Sequence, residues 1–348
     1  MASIVSESPN SRLAAQTSVS ADSGARAMRV FALTAAGIMA TACLLAGWAP
    51  IGFSIVTVFL FAGPHNWLEA RYMLTRMPGR WGPLRGYFLT GIIGVLALTS
   101  AFALLPKLDH WLNWGSADFL TALAVWNTSL VIWITVLVLM RSQQNPRRNW
   151  EWFVPISFML IAANWLWPQG FSMSLVYLHP LLALLFFDRE LARQRSPFQP
   201  IYRACLLLTP LCLGLLWWNL AGAPDLPGHD VLTRRITYHA GGGTFSGVST
   251  HCLVATHTFL EMLHYGVWII AIPLLSVRRL PWQIQNVPLA RRSPAWKLAV
   301  YGVVGLGALV VVALWAAFLS NYPLTRDVYF TVAMLHVLAE APFLLRLL

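Results

Sequence analysis

Three ionisable side chains lie within one apolar stretch of the sequence, THTFLEMLHY. His257, Glu261 and His264 stand at i, i+4 and i+7, so a rotation of about 100° per residue predicts that they share one helix face. The apolar run around them, 251–276, is long enough to cross a bilayer, where ionisable side chains are costly and mark functional sites. The spacing therefore indicates chemistry inside a membrane.

Two other apolar runs repeat half of this pattern. His65 and Glu69 lie four residues apart in GPHNWLE, and His336 and Glu340 have the same spacing in LHVLAEA. Residues four apart on a helix are neighbours on its surface. We therefore interpret the three helices as the walls of one metal site.

Neutral imidazole and carboxylate together suit iron, and less exclusively zinc, manganese or copper. The spacing Glu261-x-x-His264 matches the Glu-x-x-His unit with which helical bundles build di-iron sites. Whether the site holds one or two irons stays open. The predicted metal ligands are His65, His257, His264 and His336, with His179 as a fifth candidate. The candidate catalytic carboxylates are Glu69, Glu261 and Glu340.

The carboxylates have more than one chemical role open to them. They can bind the metal, accept the second ring N–H of a ligating histidine, or act as acid and base groups. A lone His-x-x-x-Glu is also a common helix-stabilising pair. Two other functions use the same residues: a transporter that relays protons or a cation, and an electron carrier with non-covalent haem on two of the histidines.

The composition is that of a membrane protein. The chain has 348 residues, 57% of them hydrophobic and only 11% charged, whereas a soluble domain has roughly 25% charged residues. Its net charge of +11 comes from short basic groups between the apolar runs. Such groups set membrane orientation, so we expect no nucleic-acid partner. The four cysteines form no CxxC pair and are expected to be small buried hydrophobic residues.

We expect an all-α, polytopic integral membrane bundle with about ten transmembrane helices. Residues 1–27 are predicted to be a disordered tail and 28–348 a single transmembrane domain. The predicted spans are 30–48, 52–75, 86–105, 119–140, 151–167, 171–187, 201–221, 251–276, 298–320 and 328–346.

Arginine and lysine cluster in every second connection between these spans. The intervening connections hold only Lys107, Arg234, Arg235 and Arg326. By the positive-inside rule, both termini are predicted to be cytoplasmic. The longest non-cytoplasmic loop, 222–250, is interpreted as a lid, a metal-collecting loop or a flexible connector.

Depth in the membrane separates the histidines. Four of them, on separate spans, fall near mid-membrane when depth is counted at about 1.5 Å per residue: His65, His179, His264 and His336. His257 lies nearer the outer face. His251 is expected to face away from the site, and His110 to lie in a surface loop.

Short segments of the chain resemble the Brp/Blh family of integral-membrane β-carotene dioxygenases. The segment GPHNWLE around His65 resembles the family's opening histidine motif, and WGSADF at 114–119 is similar to a Gly-x-Ala-Asp-Phe segment. His257 and His264 correspond to a pair in a late span of the family, where the spacing is His-x-x-x-His. His336 corresponds by position to a histidine of the final span.

The resemblance implies a membrane oxygenase in which histidines bind nonhaem iron and activate dioxygen. Its implied substrate is an apolar small molecule, such as a carotenoid or another isoprenoid, which enters from the lipid bilayer. We expect the chain to be a multi-pass protein of a bacterial inner (cytoplasmic) membrane. The transporter and the haem carrier remain the alternatives.

Overall fold

The computed structural model describes residues 9–145, 149–276 and 283–347, and these residues form helices and connections without a strand. The α-helices are α1 (Pro9–Trp48), α2 (Pro50–Arg76), α3 (Arg85–Leu112), α4 (Ser116–Gln144), α5 (Phe153–Leu166), α6 (Pro168–Arg193), α7 (Gln199–Leu206), α8 (Leu208–Leu220), α9 (Val231–His239), α10 (Thr250–Gly266), α11 (Pro294–Ser320) and α12 (Tyr322–Leu347). A π-helix, Val267–Ser276, follows α10 directly, and short 3₁₀ turns cover Gly82–Leu84 and Ile284–Asn286.

Eight helical segments among the described residues are long and apolar enough to cross a membrane. They are Gly24–Trp48, Pro50–Arg76, Gly82–Leu112, Ser116–Gln144, Pro168–Arg193, Gln199–Leu220, Pro294–Ser320 and Tyr322–Leu347. The chain is thus all-helical and of the multi-pass membrane type, as predicted. The cytoplasmic placement of both termini stays a prediction.

The structure supports fewer full spans than the ten expected. The predicted span 151–167 is the 14-residue helix α5, about 21 Å long against a hydrocarbon core of about 30 Å. The predicted span 251–276 is divided between α10 and the π-helix, because the backbone changes from i→i+4 to i→i+5 hydrogen bonds after Gly266. Hydropathy alone reports neither the shortness of α5 nor this change.

The N-terminal tail predicted over residues 1–27 lies partly outside the described residues, which begin at Pro9. From Pro9 onward the chain is part of α1, which continues to Trp48. Disorder of this segment stays a prediction.

Helix α10 lies at the centre of the bundle. It packs against α1, α2, α6, α8 and α9, and almost every side chain from Cys252 to Tyr265 is buried. A helix that is covered on all faces can hold ionisable residues only if neighbouring helices supply their partners. Helices α2, α6 and α12 supply those partners.

The loop 222–250 is built around helix α9. The carboxylate of Asp230 caps this helix by accepting hydrogen bonds from the Thr233 N–H and hydroxyl, and these bonds hold the pKa of Asp230 below its usual range. Gly241 ends the helix in the left-handed region, at φ 91°. Asp225 joins the loop to α10 through Thr250. The loop therefore has a helix and caps of its own, and its role stays a prediction.

A buried carboxylate ties together the helices at the other end of the bundle. Glu190 of α6 has no exposed surface, and it accepts hydrogen bonds from Tyr72 (2.8 Å), Arg76 (2.5 Å), Arg193 (2.7 Å) and Gln194 (2.6 Å). Two of these donors are on α2. The cluster therefore holds α2 and α6 in register, and both helices contribute to the site described below.

We expect Glu190→Ala to destabilise the protein by about 3–5 kcal/mol, because removing one partner of a buried ion pair leaves the other charge uncompensated. Thermal unfolding in detergent measures the effect. Glu151→Ala is the control, since Glu151 is exposed near the start of α5, and it should change the midpoint little. Equal midpoints for the two variants would contradict a structural role for Glu190.

Candidate metal centre

Six side chains from four helices meet in the middle of the bundle. They are His65 and Glu69 of α2, His179 of α6, His264 of α10, and His336 and Glu340 of α12. They form two groups that can each hold a metal ion, and in each group the ligand atoms lie within 4.8 Å of one another. The first group is His65, Glu69, His264 and His336, and the second is His179, His264 and Glu340.

His264 belongs to both groups and makes them one cluster. Its ring lies 5.2 Å from the His65 ring, 4.6 Å from the His179 ring and 6.1 Å from the His336 ring, measured between centroids. His336 is also 5.2 Å from both His65 and His179. Four imidazoles from four different helices are thus packed around one point.

The cluster contains polar atoms without hydrogen-bond partners in the described protein. They include His65 Nε2, both ring nitrogens of His264, His336 Nδ1, both carboxylate oxygens of Glu69, and Glu340 Oε1. Buried polar atoms are normally paired, because leaving one unpaired costs roughly 1–3 kcal/mol. So many unpaired atoms that converge on one point fit the coordination of a metal ion.

The charge of the cluster also fits a cation. Two carboxylates and four neutral imidazoles carry a charge of −2 when the carboxylates are ionised, and this charge lies in the apolar middle of the bundle. A buried charge is tolerated when it is paired or coordinates a metal. One divalent cation would make the cluster neutral.

His65 is oriented for coordination by its own helix. Its Nδ1 lies 3.0 Å from the Phe61 carbonyl oxygen, so Nδ1 carries the proton and donates it to that oxygen. The lone pair is then on Nε2, the atom that belongs to the unpaired set. A backbone carbonyl on the second ring nitrogen is a common way to hold a ligating histidine in one tautomer.

His179 and Glu340 are paired across two helices. His179 Nδ1 lies 3.2 Å from Glu340 Oε2, and the Glu340 side chain has no exposed surface. This distance allows both roles that the sequence left open for the carboxylate. Glu340 can bind the metal directly, or it can accept the N–H of His179 and orient that ring.

Prolines lie beside three of the ligand candidates. Pro64 precedes His65, Pro180 follows His179, and Pro342 is two residues beyond Glu340, yet α2, α6 and α12 each continue through their proline. Proline removes one backbone hydrogen bond and bends a helix locally. Despite this, none of the three helices ends at its proline, so each of these ligand candidates lies within a continuous helix.

His257 and Glu261 lie outside both metal groups. His257 Nδ1 is 3.5 Å from Glu261 Oε2, and the His257 ring lies 5.1 Å from that of His239 at the end of α9. The two residues share the face of α10 with His264, as predicted. Along the α10 axis, His257 lies about two helical turns and Glu261 about one turn from His264. This displacement puts His257 and Glu261 in a neighbouring cluster.

Tyr265 connects this neighbouring cluster to the metal groups. Its ring lies 4.3 Å from the His65 ring, and its hydroxyl is hydrogen-bonded to Glu261 and to Tyr329. Tyr329 in turn accepts from the Asn66 amide at 3.4 Å. Glu261 is therefore one side chain removed from a candidate ligand.

Two residues of the neighbouring cluster were missed as site candidates, His239 and Arg326. The sequence places both in connections, whereas the structure buries Arg326 in the second turn of α12. A signal was present in the sequence. One face of the last helix carries four polar residues at helical spacing: Arg326, Tyr329, His336 and Glu340. Extending the last predicted span toward its N-terminus would have included Arg326.

The remaining histidines behave largely as predicted. His251 Nε2 lies 2.9 Å from the Gly47 carbonyl oxygen of α1, away from both clusters. His110 is exposed as expected, but it lies in the last turn of α3, not in a loop. His229 is exposed in the connection before α9.

Comparison with models of known families, with curated proteins and with solved structures found no match for the chain. The assignment of a function therefore rests on the geometry and chemistry of the two clusters.

Proposed function

We propose that the protein is a membrane-embedded oxygenase that holds nonhaem iron between α2, α6, α10 and α12 and acts on a lipid-soluble substrate. The observation that carries the proposal is the convergence of four imidazoles and two carboxylates whose buried nitrogen and oxygen atoms lack partners in the described protein. Imidazole and carboxylate ligands with an apolar surround suit nonhaem iron that activates dioxygen.

Each residue of the cluster has a proposed role. His65, His264 and His336 bind the metal with Glu69, and His179 and Glu340 complete the ligand set or orient it. When bound, the iron supplies the redox chemistry with dioxygen. Glu261 does not reach the metal groups, and we assign it to the neighbouring cluster.

Partial exposure of two ligands supports entry of the substrate from the lipid. His179 retains 14% exposure and His336 is also partly exposed, whereas His65 and His264 are buried. Leu178, which precedes His179 in α6, is also exposed on the outside of the bundle. An apolar molecule can therefore reach the cluster sideways, without crossing an aqueous phase.

Haem is disfavoured by the packing of the rings. A haem with two axial histidines needs the flat space between them clear for the macrocycle. Here the four imidazole centroids lie 4.6 to 6.1 Å apart, with two carboxylates among them. A single ion fits this space, and a porphyrin does not.

A transporter is the remaining alternative. Transporters often bind their cargo where helices are interrupted, so that half-helix ends point at it. Continuity of α2, α6 and α12 through their prolines favours a fixed site over a moving one. We further propose that the protein resides in a bacterial inner membrane.

The proposal is tested by elemental analysis of the detergent-purified protein, with an absorption spectrum of the same sample. We expect one or two irons per chain and no Soret band, and the same iron content in the exposed-histidine control His229→Ala. Incubation with apolar polyenes under air, but not under argon, should then yield oxygenated products. A Soret band, or no metal after purification with added iron, would contradict the proposal.

A further inference from the structure

A permanently charged side chain is buried above the metal cluster. Arg326 is 2% exposed and lies in the second turn of α12, inside a helix that qualifies as a membrane span. Arginine keeps its charge in proteins, and a charged group inside a span is costly unless it has a partner or a function.

No carboxylate of the described chain forms a salt bridge with this guanidinium. Its Nε has no hydrogen-bond partner there, and its close contact is the Phe330 ring, 4.6 Å from Cζ. Asp327 is exposed and pairs with Arg235 of α9. Glu261 attracts the guanidinium without forming a salt bridge with it, and Glu261 Oε2 lies 3.5 Å from His257 Nδ1.

Two imidazoles face the same space. The His239 ring packs against the Phe330 ring in a tilted arrangement, with centroids 4.1 Å apart, and the His257 ring is 5.1 Å from that of His239. Each neutral imidazole has one N–H to donate. The Nδ1 of His257 faces Glu261 at 3.5 Å, so Arg326 and His239 are the residues that place a fixed positive charge and N–H donors around one point, where α9 closes the end of the bundle.

This charge distinguishes the neighbouring cluster from the metal cluster. The metal cluster holds two carboxylates and no cationic side chain among the described residues, so it attracts a metal ion. The Arg326 guanidinium of the neighbouring cluster would repel a metal ion. The start of α12 at Tyr322 adds the positive end of a helix dipole, which also favours an anion. The Arg326 guanidinium is therefore complementary to a negative group.

We propose that Arg326, with His239, binds an oxyanion, either carboxylate or phosphate, at the head of an apolar molecule. Guanidinium matches the two oxygens of such a group with two parallel N–H donors. The partly exposed His239 places this site at the α9 end of the bundle, where a charged head remains close to water.

The position of the site suggests how a substrate would lie. Arg326 and His336 share one face of α12 and are ten residues apart, which corresponds to about 15 Å along the helix. A head group at Arg326 would direct a chain of that length toward the metal cluster. This part of the inference rests on the proposed function, whereas the binding of the oxyanion does not.

The test compares ligands that differ only in charge. Dodecanoate and dodecanol, each below its aggregation limit, are titrated into the detergent-solubilised protein, and binding is followed by tryptophan fluorescence. We expect dodecanoate to bind at least about tenfold more tightly than dodecanol, which corresponds to about 1.4 kcal/mol. Equal affinities in the native protein would overturn the proposal without any mutation.

Matched variants assign the effect to Arg326. Arg326→Gln should abolish the preference for dodecanoate, Arg326→Lys should keep part of it, and Arg234→Gln, which removes an exposed arginine of α9, should keep all of it. An undiminished preference in Arg326→Gln would overturn the assignment. If acetate or inorganic phosphate competes as strongly as dodecanoate, the oxyanion site stands and the anchoring of an apolar chain is refuted.

Metal content of the same samples separates this proposal from the proposed function. Arg326 lies outside the metal groups, so Arg326→Gln should retain its iron. A native protein that holds no metal but still prefers dodecanoate would refute the oxygenase and leave the oxyanion site intact. A protein that holds iron but shows no preference for dodecanoate would refute the oxyanion site and leave the oxygenase proposal intact.

Discussion

Replacing His264 with alanine is expected to abolish metal binding. His264 belongs to both metal groups, and its ring lies 4.6 Å from His179 and 5.2 Å from His65. Loss of a residue that merely orients a ligand weakens metal affinity by about 10–100-fold. Removing the shared ligand should therefore weaken it by at least about 100-fold, and the purified variant should contain almost no metal by elemental analysis.

The matched control is His257→Ala, because His257 lies on the same helix face, is buried to a similar extent and belongs to neither metal group. We expect this variant to keep most of its iron. Equal metal loss in the two variants would show that the site depends on this whole face of α10 and not on His264 in particular. Full metal retention in His264→Ala would refute the assignment of the site.

The double substitution Glu69→Gln and Glu340→Gln should also prevent binding of a divalent cation, for an electrostatic reason. Both carboxylates are buried; the Glu69 oxygens have no hydrogen-bond partner in the described protein, and Glu340 contacts only the neutral imidazole of His179 there. They are therefore the negative charges that a cation would neutralise. Glutamine keeps the shape of each side chain and removes the charge, so we expect metal affinity to fall by at least about 100-fold, as for a lost ligand.

The same variant should not be less stable than the metal-free native protein. Burial of a carboxylate without a cation is costly, and glutamine avoids that cost. Thermal unfolding of both proteins in the presence of a chelator measures this difference. Glu261→Gln is the control, since it removes a buried carboxylate outside the metal groups, and it should retain the metal. A double variant that binds iron normally would contradict the proposed ligand set.

The two clusters give the bundle a polar axis with opposite charges at two levels. Arg326 lies near the α9 end and the pair Glu69 and Glu340 lies near the middle, with Glu261 and Tyr265 between them. An amphipathic substrate with an anionic head and an apolar chain would match this order. Iron would then be held at the carboxylates, away from the guanidinium that repels it.

The helix positions were largely predictable from the sequence. Each of the ten predicted spans coincides with helical structure, because runs of apolar residues in a membrane protein must satisfy their backbone hydrogen bonds within the run. The faces of α2, α10 and α12 were predictable too. A helix turns about 100° per residue, so His65 with Glu69, and His336 with Glu340, had to share a face.

Which of these faces meet could not be read from the sequence. His179 was only a fifth candidate, yet α6 brings its ring to 4.6 Å from His264. His257 was a preferred ligand, but it lies in the neighbouring cluster with His239. Periodicity determines the direction of a side chain around its own helix. The height at which it meets another helix depends on tilt and packing against all of the neighbours.

The structured loop and the buried arginine show the same limit. His239 and Arg326 lie in stretches that are polar enough to read as connections, and α9 acquires its position only by packing on α2, α10 and α12. By itself, the sequence determined a helical membrane protein whose ionisable residues lie on shared faces at similar depth. The tertiary structure decided which of them converge, because contacts between distant segments depend on the packing of the whole bundle.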